Sequence, residues 1–267
     1  MPRFAAHLTM MYPEHSFLDR FAAAARDGFT AVDYMFPYDY PAHTLAALLK
    51  DHGLKQVLFN APAGNWKAGD RGITALPGRE DEFREGFLRA LDYAQQLDCP
   101  RIHTMAGVAP AGVERARMYD TYIANLSWAS GVAEAAGKEV LIEPINLRSI
   151  PGFFISRQDE AHSIAAVVGS PNLKVLMDLF HCQIAEGDLA MKIRTYLKDP
   201  KQTRIGHFHI AGVPDRHEPD TGELNCDYLF DLIDELGYEG WIGSEYVPKA
   251  GTSEGLGWFR KQLAVAN

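Results

Sequence analysis

Four side chains that could carry chemistry stand where short apolar stretches of this sequence end. They are Glu143, Asp178, His209 and Glu245. Neighbouring members of the set lie about 30 to 36 residues apart, enough for one strand, one crossover helix and two loops. A buried parallel strand that reaches a functional mouth has this pattern, because its apolar run stops at a charge where it emerges. We therefore expect four successive strands to bring these side chains to one site.

Three carboxylates and one imidazole form a ligand set suited to a divalent metal ion. Oxygen-rich ligation favours Mg²⁺ or Mn²⁺, although the imidazole also admits Zn²⁺ or Co²⁺. Any one strand-end carboxylate could equally cap a helix or pair with an arginine. Four ligand-type residues on consecutive strands favour a shared centre instead. We predict that Glu143, Asp178, His209 and Glu245 are the metal ligands.

Two further histidines lie close to this set in the sequence. His207 is two residues before His209, so on a strand both rings face the same side, and His207 is either a core residue or a ligand. His181 follows Asp178 by three residues. It is placed to bond a substrate oxygen, with a surface loop histidine as the alternative.

The elements that must position these residues alternate regularly along the chain. Eight β-type stretches alternate with eight helical ones, the later helices being predicted at 157–168, 183–197, 225–236 and 252–263. This order predicts a single (β/α)8 TIM barrel, class α/β, over residues 1–267. A doubly wound open sheet is the alternative, but residues 10–15 lack the glycine-rich turn that it needs.

Bulk composition excludes several classes of protein. The chain has 267 residues, 47% of them hydrophobic, and a net charge of −9, which argues against binding to nucleic acid. No apolar run reaches membrane-spanning length, and the N-terminus lacks a signal-type apolar region. The three cysteines, without paired spacing, are typical of reduced thiols. We expect a cytoplasmic protein with no membrane partner, and leave open whether it is a homo-oligomer.

Several short motifs in this sequence resemble one family. They are EPIN at 143–146, MDLFH at 177–181, IGHFH at 205–209, PDTGELN at 219–225 and GSEY at 243–246, with LFNAPAGNW at 58–66, AGDRG at 68–72 and AGVAPAG at 106–112 upstream. In order and spacing they resemble the hydroxypyruvate isomerase group, which includes 2-oxo-tetronate isomerases. That group belongs to the xylose-isomerase-like TIM barrels, as do the ketose 3-epimerases.

The resemblance implies a role for each matching residue. Glu143 and Glu245 match the paired catalytic glutamates that also touch the metal, and Asp178 matches a pure metal ligand. His209 falls where epimerases have a histidine ligand and some isomerases have glutamine. His181 matches the histidine that binds a substrate oxygen, and Arg216 lies near the family's substrate-binding arginine.

The long segment 60–78 is predicted to be a lid over the mouth. It carries several glycines that permit hinge motion, and Trp66 could cover the site. A substrate carboxylate would need positive charge, which Arg216, or Lys67 and Arg71 in this segment, could supply. The alternative for Lys67 and Arg71 is that they only keep a surface loop soluble.

The expected function is metal-dependent isomerisation of a small hydroxy-oxo acid. Hydroxypyruvate would become tartronate semialdehyde, or a 2-oxo-tetronate its 3-oxo isomer, through an enediolate with two glutamates as acid and base. The nearest alternative is a ketose 3-epimerase acting on a neutral sugar. A DNA-repair endonuclease of the same barrel superfamily would need a basic groove, and a non-catalytic sugar-acid sensor would not need both glutamates.

Overall fold

Eight parallel strands close into a barrel in this protein. The computed structural model describes residues 2–198 and 204–265. The strands are β1 (Arg3–His7), β2 (Ala31–Tyr34), β3 (Lys55–Asn60), β4 (Arg101–His103), β5 (Glu139–Ile142), β6 (Leu173–Asp178), β7 (Ile205–Ile210) and β8 (Trp241–Ser244). Each strand pairs with the next, and β8 pairs with β1, where Ile242 lies opposite Phe4. The predicted (β/α)8 barrel is confirmed.

Helices surround this barrel in the described residues. They are α1 (Asp19–Arg26), α2 (Ala42–Asp51), α3 (Glu80–Gln96), α4 (Arg115–Ala135), α5 (Gln158–Val168), α6 (Leu179–Ala185), α7 (Leu189–Tyr196), α8 (Cys226–Glu235), α9 (Thr252–Gly255) and α10 (Gly257–Val265). Among these residues, no helix combines the length and the apolar character needed to cross a membrane.

The alternation of side chains along each strand produces two separate interiors. On β1, Phe4 faces the helices and packs edge-on against Phe230 and Trp258, with ring centroids 4.9 and 5.2 Å apart. Ala5, one residue on, faces the barrel axis and packs with Ala31 of the next strand. The apolar layer outside the strands therefore stabilises the fold. The barrel interior can hold polar groups at the C-terminal ends of the strands.

The predicted helix 183–197 is wrong as a single element. Gly187 and Asp188 have φ angles of +67° and +54°, which interrupt an α-helix, so α6 ends before them and α7 follows. The first of the two helices also starts earlier than predicted. Asp178 ends β6 and at once caps α6, because its side chain accepts hydrogen bonds from the backbone N–H groups of Phe180 and His181. The last predicted helix, 252–263, is likewise divided into α9 and α10.

The segment between β3 and α3 is only partly a surface loop. Its tip carries a short 3₁₀ helix (Trp66–Ala68) at the rim. Its second half is fixed to the fold: Gly72 forms a β-bridge with Ala106, and the Thr74 hydroxyl donates to the Met105 carbonyl at 2.8 Å. The predicted lid is therefore too long as stated, because the second half of 60–78 is built into the barrel rim.

Candidate active site

The site is built where β5, β6 and β8 end. One ligand atom each from Glu143, Asp178, His181 and Glu245 lies within 4.8 Å of the others, and all four residues are buried. Glu143 and Glu245 are the first residues after β5 and β8, and Asp178 is the last of β6. The three predicted carboxylates thus lie together, because the parallel strands of a barrel all end at the same face.

Asp178 divides its two oxygens between structure and site. Its Oδ1 accepts from the backbone N–H of Phe180 at 2.7 Å and so caps α6. Its Oδ2 lies 3.5 Å from His181 Nε2 and 3.6 Å from Arg216 Nη2. The cap holds the carboxylate in a fixed orientation, so that one oxygen always faces the cluster.

His209, the fourth predicted ligand, lies beside this cluster, with Nδ1 3.2 Å from Glu245 Oε2. Its Nε2 is 3.1 Å from Asp33 Oδ2. An ionised carboxylate can only accept, so Nε2 carries a proton and donates to Asp33. Nδ1 lies beside Glu245. Burial favours the neutral ring, but the negative charge of Glu245 and the hydrogen bond to Asp33 outweigh it and hold the pKa of His209 well above its usual range. Nδ1 would therefore lose its proton when it ligates a metal ion. A buried carboxylate behind a histidine is a common way to prepare that ring as a metal ligand.

Asp33 binds two more histidines in the same way. Its Oδ1 lies 2.9 Å from His7 Nδ1, and its Oδ2 lies 3.1 Å from His207 Nε2. His207 therefore faces the barrel interior, as His209 does, and is a buried partner of Asp33. The group is packed closely: a Cβ atom on Gly243 would lie 2.2 Å from Asp33 Oδ2 and 2.5 Å from the His209 ring. Only glycine fits at that position.

The charges around the two glutamates differ. Burial, and then the negative charges of Glu245 and Asp178, hold the pKa of Glu143 well above its usual range. Burial also favours the neutral form of Glu245, but the positive charges of Arg216, His209 and His7 outweigh it and hold the pKa of Glu245 well below its usual range. Glu245 is therefore the more readily ionised of the pair.

Arg216 is the cation of this cluster. Its Nη2 lies 2.6 Å from Glu245 Oε2, and its guanidinium lies over the Phe180 ring, 4.9 Å from the centroid. Arg216 has a φ of +59° and its carbonyl accepts from the Val247 N–H, so the loop after β7 is tied to the residue that follows Glu245 by two positions. The structure thus places the predicted substrate-binding arginine beside a catalytic candidate.

The three residues predicted from the loop after β3 lie at the rim. The Arg71 guanidinium stacks over the Trp66 ring at 4.1 Å, and Trp66 packs against Phe36. Lys67 is exposed. Within the described part of the chain, no hydrogen bond or ion pair joins Trp66, Lys67 or Arg71 to the carboxylates. Their part in substrate binding remains a prediction.

The donor set fits a divalent cation. Two buried carboxylate oxygens of the predicted ligands lack a hydrogen-bond partner among the described residues: Glu143 Oε1 and Asp178 Oδ2. Buried polar atoms are rarely left unpaired. A cation among three crowded carboxylates would satisfy these atoms and offset the repulsion between like charges.

Sequence reasoning missed the residues that support the ligands. Asp33 and His7 lie within strands, and each is a single polar residue in an apolar run, which was the available signal. His103 is a third such residue: its Nε2 lies 3.8 Å from Glu143 Oε2, and burial lowers its pKa to about 3. Asn146 ends the EPIN motif, and the motif alone predicts no role for it.

Comparison with protein families adds to this geometry. Residues 21–262 match the family model described as xylose isomerase-like TIM barrel. A 2-oxo-tetronate isomerase from Cupriavidus necator is 57% identical over 98% of this chain and 99% of its own length. A hydroxypyruvate isomerase from Escherichia coli strain K12 is 42% identical over 97% of this chain and 98% of its own.

Solved structures agree on the fold. A protein from Brucella melitensis described as an AP endonuclease of family 2 superposes with a TM-score of 0.94 at 46% identity, covering 98% of this chain and 99% of that one. A D-psicose 3-epimerase from Clostridium cellulolyticum H10, solved with D-tagatose, gives a TM-score of 0.76 at 18% identity, over 95% of this chain and 88% of that one. The second likeness concerns the fold alone.

Proposed function

The chain belongs to the hydroxypyruvate and 2-oxo-tetronate isomerase group of the xylose isomerase-like TIM barrels, and on that premise we propose that it isomerises a small hydroxy-oxo acid with a divalent metal ion. The observation that carries the proposal is the gathering of Glu143, Asp178 and Glu245 at the ends of β5, β6 and β8 in a buried cluster with Arg216 beside it. The names of the relatives support the substrate class.

The metal would be held by Glu143, Asp178, His209 and Glu245. When bound, a divalent cation would act as a Lewis acid and stabilise the negative charge that develops on the substrate. Mg²⁺ or Mn²⁺ suits three carboxylates best.

The two glutamates move the proton. Isomerisation removes a proton from the carbon that bears the hydroxyl and returns one to the neighbouring carbonyl carbon, by way of an enediolate, while the hydroxyl proton passes to the former carbonyl oxygen. Glu245 is kept ionised by Arg216 and is suited to accept the proton. The surroundings of Glu143 favour its protonated form, so Glu143 is suited to deliver a proton. In the reverse direction the roles exchange.

Arg216 and His181 would bind the substrate's oxygens. The Arg216 guanidinium presents forked N–H groups, which match a carboxylate. His181 Nε2 lies beside Asp178 at the edge of the cluster. An acid substrate would add a negative charge to a site already rich in carboxylates, so it needs this arginine together with the cation.

Two alternative activities differ from the proposed one in their substrates. A 3-epimerase would act on neutral ketoses with a similar pair of glutamates. An endonuclease, the description given to the B. melitensis relative, would act on abasic DNA. The net charge of −9 disfavours the second, since phosphate backbones bind to basic surfaces.

A substrate panel tests the proposal. Purified protein with Mg²⁺ or Mn²⁺ is assayed on hydroxypyruvate, a 2-oxo-tetronate, fructose, tagatose and an abasic duplex, and again after chelation. We expect turnover of an oxo acid only, lost on chelation and restored by metal. Turnover of neutral ketoses alone, or cleavage of the duplex alone, would show that the substrate class is wrong.

Asp178→Asn tests the metal site while keeping the helix cap. The retained Oδ1 still caps α6, whereas Oδ2, the oxygen that faces the cluster, is replaced by an amide nitrogen. We expect native circular dichroism, loss of Mn²⁺ binding by calorimetry and loss of turnover. Full Mn²⁺ affinity in this variant would remove Asp178 from the metal site.

A further inference from the structure

The buried side chain of Asn146 has a fixed orientation. It lies in the loop after β5, three residues beyond Glu143, and is fully buried. Its carboxamide oxygen accepts a hydrogen bond from the Ser149 backbone N–H at 2.8 Å. A peptide N–H can only donate, so the atom facing Ser149 has to be oxygen. The amide nitrogen then points the other way.

That amide nitrogen contacts Nδ1 of His181. An amide NH₂ can only donate, so Nδ1 has to accept and carries no proton. The ring proton of His181 is therefore on Nε2. The opposite tautomer would place two N–H groups against each other in a dry interior, as would a doubly protonated ring.

Nε2 is the His181 atom that faces the cluster, 3.5 Å from Asp178 Oδ2. A protonated nitrogen has no lone pair to give to a metal. Although its position is close enough for ligation, His181 faces the site as a hydrogen-bond donor. His209 differs, because its Nε2–H donates to Asp33, so that Nδ1 is the ring nitrogen that faces Glu245 and the predicted metal site.

We propose that Asn146 is a positioning residue that fixes the Nε2–H tautomer of His181, so that His181 donates to a substrate oxygen and does not ligate the metal. The substrate part of this statement rests on the proposed function. The tautomer does not, because it follows from the Ser149–Asn146–His181 contacts. The Ser149 backbone N–H thus orients the Asn146 amide, and that amide fixes the tautomer of the His181 ring on α6.

The test is nitrogen NMR of histidine-labelled protein. Two-bond couplings show which ring nitrogen carries the proton, and the His181→Gln spectrum assigns His181 among the ten histidines. We expect the Nε2–H form, both without metal and with Mg²⁺. In Asn146→Asp, which keeps the size but has only acceptors, we expect the proton on Nδ1. An Nδ1–H ring in the native protein, or an Nε2–H ring unchanged in Asn146→Asp, would overturn the proposal.

Two further measurements separate positioning from a merely structural role. Asn146→Asp should lower kcat roughly 10- to 100-fold with native circular dichroism. Calorimetry with Mn²⁺ should give native affinity for His181→Gln, whereas a weakening of about tenfold or more would make His181 a ligand and contradict the proposal. If Asn146→Asp fails to fold, the native spectrum still decides the tautomer. A chain with no isomerase activity but an Nε2–H ring would refute the proposed function alone.

Discussion

Glu143 and Glu245 share a site but have different neighbours. Glu245 is in contact with Arg216, His209 and His7, whereas Glu143 has His103, which burial keeps neutral. The same side chain therefore has opposite tendencies to hold a proton at the two positions. Under the proposed mechanism, this difference gives the two glutamates separate tasks in one proton transfer.

Replacing each glutamate with glutamine tests those tasks. Both Glu143→Gln and Glu245→Gln keep the side-chain size but remove the acid or base, so turnover should fall about 10²- to 10⁴-fold. Starting from hydroxypyruvate, Glu245→Gln should also abolish exchange of the C3 hydrogens with deuterated solvent, while Glu143→Gln should retain some exchange. Proton NMR measures both. Near-native turnover in both variants would mean that neither carboxylate is the acid or base.

At this scale the sequence predicted the clustering of the carboxylates better than it predicted the residues that support them. Glu143, Asp178 and Glu245 were predictable because a strand-end charge has a recognisable spacing. Asp33 was not, because its role depends on three histidines from β1 and β7 that meet it only in the folded barrel. Asn146 shows the same limit, since its partner is on another element.

At the scale of elements, the eight strands were predictable because each is a short β-branched or aromatic run between turn signals. The ends of the helices were less predictable than the strands. The break between α6 and α7 depends on two residues with positive φ, Gly187 and Asp188, and only the glycine is typical of that conformation. The early start of α6 depends on Asp178 serving both the cluster and a cap.

Two glycines in the loop after β3 test how firmly that loop is fixed. Gly72 and Gly69 have similar φ angles, +110° and +103°, so alanine should strain both by about 1–3 kcal/mol. A Cβ on Gly72 would also lie 2.3 Å from the Met105 carbonyl oxygen, whereas one on Gly69 meets nothing within 4 Å. Gly72→Ala should therefore lower the free energy of unfolding by a further ~1–3 kcal/mol. Urea denaturation compares them, and equal losses would mean that residue 72 is not held against β4's exit loop.

At the scale of the whole molecule, a half-buried neutral histidine makes the fold sensitive to acid. His162, on α5 and stacked on Tyr196 at 3.7 Å, is remote from the predicted ligands in sequence and has no hydrogen-bond partner for Nε2 among the described residues. Burial, and then the charge of Arg204, lower its pKa to about 4. Between pH 6.5 and 4 the unfolded chain therefore binds a proton that the folded chain does not, and stability falls as the pH falls.

His162→Phe isolates this contribution, because it keeps a stacked ring and removes the titration. Lowering the pH from 8 to 5 should destabilise the native chain by about 2 kcal/mol more than the variant. Urea denaturation at both pH values gives the two differences. Equal losses in the two chains would mean that His162 takes up its proton as readily in the fold as in the unfolded chain.

The shared use of Asp33 by His7, His207 and His209 restricts how this sequence can diverge. A change of Asp33 alone leaves three buried ring N–H groups without an acceptor, and each such group costs about 1–3 kcal/mol out of a total stability of only about 5–15. A larger residue at Gly243 displaces the same carboxylate. A single replacement at Asp33 or Gly243 should therefore use up much of the stability margin, and we expect a sequence that changes one of these positions to change its partners as well.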